Sequence, residues 1–165
     1  MKNLRKGFTL VELLIVIGVI GILGAMGMVS GTEATNIANA TKIVEEFKVI
    51  SAAMNMYYAD NKATCEAGVT GSTILDGIKP YMKSVSSIVA GGTHSAGKYM
   101  INVTNGQWWL AYKLQETNSK VGQILANKAE QEGFKASASN TAGTDDDPTT
   151  NPYVATGDTV YMQVR

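Results

Sequence analysis

From Leu13 to Thr32 the chain runs 20 residues without a charged side chain, and Phe8 to Val11 extend the apolar stretch on the far side of Glu12. A helix needs about 20 apolar residues to cross the hydrocarbon core of a bilayer, so this run is long enough to span one. An ionised side chain at the centre of a membrane helix costs about 2.5–3.5 kcal/mol on insertion scales, which keeps acids near an interface or reserves them for a task. Glu12 stands near the end of the run, where a carboxylate can snorkel to the headgroups at little cost. Position alone therefore leaves two readings of Glu12 open, tolerated or used.

The residues before the run orient it. Lys2, Arg5 and Lys6 precede it with no acid among them, and the positive-inside rule keeps such a segment in the cytoplasm. A secretory signal peptide also starts with basic residues, but its apolar region is about 7–15 residues long and its small-residue cleavage site follows that region. This run is too long for that pattern, although Ala25-Met26-Gly27 imitates a cleavage site.

The stretch KGFTLVELLIVIGVIGIL resembles the class III leader junction of type IV prepilins and pseudopilins. The motif covers about 25 residues and is specific. The resemblance implies that Gly7 is the last leader residue and Phe8 the first residue of the mature chain. It further implies that a prepilin peptidase and N-methyltransferase cuts between them on the cytoplasmic side and methylates the new amine. Glu12 is then the acid that pairs with the amine of a neighbouring subunit and sets the register of assembly. The partners implied are further copies of the chain in a helical homopolymer, minor pilins, the membrane, and the assembly platform protein and ATPase of the pilus machinery. The implied location is the cytoplasmic membrane, crossed once, followed by an extracellular pilus or a periplasmic pseudopilus.

The chain has 165 residues. A leader at 1–7, an apolar half-helix at 8–32 and an amphipathic half-helix at 33–61 leave 62–165 for one small head, with a flexible segment at about 136–158. There is no room for a second core. The leader removes three basic residues and no acid, leaving 11 basic against 14 acidic residues in the processed chain. The remaining lysines are scattered and not gathered with aromatics, which is not a nucleic-acid surface. Cys65 is the only cysteine, so no intrachain disulfide forms, in contrast to the two-cysteine loop of many Gram-negative pilins. A small buried residue and an intermolecular disulfide are the two readings of Cys65.

Beyond the apolar run, Ile37, Ala40, Val44, Phe47, Ile50, Met54 and Tyr57 recur at helical steps, with Lys42, Glu45, Glu46 and Lys48 between them. No proline interrupts Phe8 to Asn61. A continuous helix over that span would be roughly 80 Å long at about 1.5 Å per residue. Its weak points are Gly18, Gly21, Gly24, Gly27 and Gly31, which allow close helix approach or local melting at up to about 1 kcal/mol each.

In the head, Thr73 to Ser84 reads as a short helix with Ile74, Leu75, Ile78 and Met82 on one side. Tyr99, Ile101 and Val103 alternate, Asn105-Gly106 favours a two-residue turn, and Trp108 to Leu114 supply the return strand. Val121, Ile124, Leu125 and Ala129 mark a helix of about 12–15 residues stopped by Gly133. The stretch from Ala136 to Asp158 is low in apolar residues and reads as mobile or wrapped over the surface. A last alternating strand, TVYMQVR, adds to the hairpin. The fold class expected is α+β: a long N-terminal helix on a small antiparallel head of about three strands, which the pilin resemblance implies independently.

Catalysis needs a constellation, and little here supplies one. His94 is the only histidine and lacks partners at zinc spacing; no phosphate-binding loop or nucleophile elbow is present. No cofactor is expected, with one exception to weigh. Asp145, Asp146 and Asp147, with Asn151 and Asp158 nearby, are either a solvated turn or a calcium loop of the kind some type II secretion pseudopilins carry. Trp108 and Trp109 are adjacent on a strand and face opposite sides, one to the core and the other to the helix or a subunit contact.

The reading is a non-enzymatic structural subunit of a type IV pilus or related filament. Within the family the alternatives are a pseudopilin of type II secretion or of competence, with DNA uptake. Two alternatives of other classes are a membrane-anchored or secreted ligand-binding module that never polymerises, and an enzyme behind a cleaved signal.

Overall fold

The computed structural model describes residues 8–82, 88–90, 95–115, 119–137, 148–153 and 158–165. One helix, α1 (Leu10–Asp60), is 51 residues long. The chain divides into two compact units within it, the first ending at Ile37 and the second beginning at Ala38.

The part of α1 in the first unit has no core. Every large apolar side chain from Phe8 to Met26 is at least 49% exposed. At Gly18, Gly21, Gly24 and Gly31 an added Cβ would meet nothing within 4 Å. Among the described residues, α1 is the one helix long and apolar enough to cross a membrane.

The second unit is the head. After α1 come α2 (Lys62–Glu66), α3 (Gly71–Ile78), a 3-10 turn (Lys79–Tyr81), β1 (Ile88–Ala90), β2 (Tyr99–Thr104) and β3 (Gln107–Lys113). They are followed by α4 (Lys120–Asn127), α5 (Ala129–Glu132), β4 (Phe134–Ser137), β5 (Pro148–Pro152) and β6 (Thr159–Gln163). The strands form one sheet in the order β1-β2-β3-β6-β4-β5. Only β1 and β2 run parallel; the other neighbours are antiparallel. The architecture is the expected α+β one, a long helix and a mostly antiparallel sheet, but the sheet has six strands where the sequence suggested about three.

Ala40, Ile43, Val44, Phe47, Ile50, Ala53, Met54 and Tyr57 are buried along one stripe of α1, at the three- and four-residue steps that keep side chains on one helix face. They pack with Tyr99, Ile101, Trp108, Leu110, Leu125, Phe134 and Val160. Phe47 is the hub: its ring meets Tyr99 edge-on at 5.5 Å and Phe134 at 5.1 Å. Ile37 departs from expectation, since it is 52% exposed and belongs to the first unit.

The hairpin follows its turn chemistry. Asn105 and Gly106 have φ of 52° and 76°, the left-handed pair that matches strand twist in a two-residue loop, and Thr104 pairs with Gln107. Trp108 and Trp109 do point to opposite faces, but both are buried. Trp108 stacks near Tyr57 and Tyr58 in the main core. Trp109 joins Met100, Ala111 and Tyr161 in a second small cluster.

Three further expectations are corrected. The helix anticipated at 73–84 starts earlier, at Gly71, where the Thr70 hydroxyl caps the Thr73 N–H, and it tightens to 3-10 geometry at Lys79–Tyr81 around Pro80. The single later helix is two short ones, α4 and α5, split at Lys128; Gly133 ends the second with φ 75°. Of the segment at 136–158, expected to be mobile or wrapped over the surface, residues 138–147 and 154–157 lie outside the described residues, while β5 pairs with β4 and Tyr153 is buried in the main core. Its N–H donates to the Phe134 carbonyl at 3.0 Å.

Close packing explains one glycine. A Cβ on Gly77 would collide with the Tyr57 ring, so α3 approaches α1 closely only because that side chain is missing.

Candidate functional site

Thr9 stands immediately before the first residue of α1, so it is the N-cap, and Glu12 is the third helical residue. The Thr9 Oγ1 accepts from the Glu12 N–H at 3.2 Å, and Glu12 Oε2 accepts from the Thr9 N–H at 2.9 Å. This reciprocal pair is a capping box, which satisfies two of the N–H groups that a helix start leaves without partners. The Thr9 hydroxyl also donates to Glu12 Oε2 at 2.8 Å. The Leu13 N–H then donates to the Thr9 carbonyl at 3.3 Å and begins the helical ladder.

The box fixes three properties of the amino-terminal segment. It starts the helix after Thr9, leaving Phe8 outside it. It places the Glu12 carboxylate at the helix start, where the macrodipole favours negative charge. It also occupies Oε2 alone, so that Oε1 has no hydrogen-bond partner among the described residues. Phe8 and Glu12 are thus brought within one turn of each other, while Gly7 lies outside the described residues. Thr9 is the member of the site that reading Glu12 as an isolated acid overlooks. Its signal was available, because threonine followed three residues later by glutamate ahead of an apolar run marks a helix start.

A family model described as the prokaryotic N-terminal methylation motif matches residues 2–28. Residues 2–28 carry a prepilin-type leader junction. The motif and the one apolar N-terminal helix fit a membrane-anchored precursor that a prepilin peptidase processes. No curated protein and no solved structure matches the chain.

Among the described residues the remaining candidates do not gather into a site. Asp145, Asp146, Asp147 and His94 lie outside the described residues. Asp158 is already engaged: its Oδ2 is 3.6 Å from Lys113 Nζ, and its Oδ1 accepts from the Thr159 hydroxyl at 2.9 Å. A cation at Asp158 would have to displace that ammonium or share the carboxylate with it. Among the described residues no three His, Cys, Asp or Glu side chains gather to hold a metal. Cys65 is buried against the main core, and burial pushes its thiol pKa up, which disfavours the nucleophilic thiolate.

Proposed function

We propose that this chain is a prepilin whose mature form is a structural, non-enzymatic subunit of a type IV pilus or a closely related filament. The observation that carries the reading is the pairing of a capped Glu12 with a helical run in which every large apolar side chain from Leu13 to Met26 is exposed. Such a surface is stable only in lipid or against other copies of itself, since exposed apolar area costs about 25 cal/mol per Å² in water.

In this reading the peptidase cuts between Gly7 and Phe8, and the freed amine is methylated and positively charged. Glu12 Oε1 has no hydrogen-bond partner among the described residues and accepts the amine of the next subunit. Two unit charges about 4 Å apart attract by about 4 kcal/mol at an effective dielectric of about 20, while either alone in an apolar core pays a desolvation penalty. Glu12 thereby becomes satisfied by assembly, and the platform protein and ATPase supply the work of extracting the helix from the membrane.

Glu12→Gln separates the two tasks of this side chain. Glutamine keeps the capping-box acceptor but not the charge. Under the proposal the variant is cut and stays in the membrane, with the helix start still protected from hydrogen exchange, yet it is lost from sheared surface filaments. Normal filaments from Glu12→Gln would overturn the ion-pair role. Deletion of the gene then distinguishes pilus from pseudopilus by which is lost: surface filaments, protein secretion or DNA uptake.

A further inference from the structure

Between α2 and the β2–β3 turn the head has an open pocket of about 500 Å³, walled by Tyr58, Cys65, Val69, Val103, Trp108 and Arg165. That volume is within the range of small-molecule sites. Gly68 and Gly106 stand on its rim, and a Cβ on either would meet nothing within 4 Å.

Arg165 is the pocket's cation, and it is held in place. Its guanidinium lies 3.5 Å from the centre of the Tyr58 ring. Its backbone is tied to β3, with the Trp108 N–H donating to the Arg165 carbonyl and the Val164 N–H to the Trp108 carbonyl, both at 2.8 Å. Lys42, Lys48, Lys62, Lys79 and Lys113 all have carboxylate partners. The Arg165 guanidinium has neither an ion pair nor a hydrogen bond among the described residues. Glu66, the acid on the same wall, is already engaged: it accepts from the Tyr58 hydroxyl at 2.9 Å and lies 3.7 Å from Lys62 Nζ. The pocket lining holds one cation, Arg165, and one acid, Glu66; the guanidinium presents a planar fork of donors that matches a carboxylate or phosphate two bonds at a time. Val69, Val103 and Trp108 add apolar surface to the lining.

We propose that this pocket binds a small anionic ligand, a carboxylate or phosphate carried on a flat apolar body. The anion takes the Arg165 fork and the body lies against Val69 and Val103. All the lining residues belong to the head.

The test titrates the full chain in detergent with benzoate, phenyl phosphate, benzyl alcohol and inorganic phosphate, following the Trp108 indole N–H by NMR. At least one aromatic anion is expected to bind saturably, and the tighter of the two identifies the anion class. Benzyl alcohol and inorganic phosphate should each bind about tenfold more weakly, and Arg165→Gln should raise the Kd of the aromatic anion about tenfold. Val69→Phe, which fills the apolar wall without touching the charge, should abolish binding and keeps the test sound if Arg165→Gln perturbs folding. No saturable shift with either aromatic anion would overturn the proposal. So would equal binding of benzyl alcohol, or unchanged binding in either variant.

Discussion

The two parts of α1 share one helical backbone and differ in what their side chains touch. From Leu10 to Met26 the apolar residues go all the way round and are exposed; from Ala40 to Tyr57 most of them keep to one buried stripe, with Val49 and Met56 left exposed. A helix apolar on every side needs an apolar environment on every side, which a single copy of this chain does not provide. The second part is stabilised within its own chain, and the first is completed from outside. The only acid between Leu10 and Met26, Glu12, sits where that outside begins.

This contrast can be broken most sharply at Glu12. Glu12→Ala removes both the charge and the cap, and is expected to lower sheared filament by more than an order of magnitude, with the membrane pool of processed chain retained. Unchanged filament yield would mean that the first part does not assemble through its acid. A large effect on the second part comes from Phe47→Ala, which deletes the hub ring of the head at about 3–5 kcal/mol. Leu14→Ala, an equally drastic truncation in the first part, should leave the thermal unfolding of the head within about 0.5 kcal/mol of the parent. Equal effects from the two would erase the distinction between the halves.

A smaller effect is expected at Gly77→Ala. The added methyl meets the Tyr57 ring and should destabilise the head by about 1–3 kcal/mol through overpacking; chemical denaturation measures it. At the other end of the helix, Thr9→Ala should cost about 1 kcal/mol at the cap. It would be seen as faster hydrogen exchange at the Glu12 and Leu13 amides, with no change in head stability.

Tyrosinate absorbance at alkaline pH reports on the second part alone, because every tyrosine lies beyond residue 56. Burial pushes the phenols of Tyr99 and Tyr153 well above their ordinary value of 10.0. A raised folded pKa means that the unfolded chain loses those protons first, so the stabilisation is full below about pH 10 and falls as pH rises past it. Denaturation midpoints measured across that range, with tyrosinate absorbance read in parallel, should fall together with ionisation. A flat profile would place these phenols in water.

What was legible in the sequence follows the same division. The first part is written in composition and a local motif, so its long apolar helix and the motif at residues 2–28 could be read directly. The stripe from Ala40 to Tyr57 and the hairpin around Asn105-Gly106 are also local patterns. Strands β4 and β5 are not: FKAS and PTTNP show little alternation, and prolines 148 and 152 argue against a strand unless it is an edge, which β5 is. Their pairing is set by tertiary contact, with Phe134 and Tyr153 entering a core that other elements build. Likewise the split at Lys128 leaves no mark in the apolar spacing of the flanking helices, and Arg165 acquires its place only when β6 lies along β3.

The most direct measurement is the mass of the mature amino terminus, taken in parallel from sheared surface filaments and from membranes. The account requires a chain that begins with N-methylated Phe8 in both fractions, with the apolar part of α1 retained in the filament. A mature chain that begins after Ala25 would mean that this part is a disposable signal, and would contradict assembly through it.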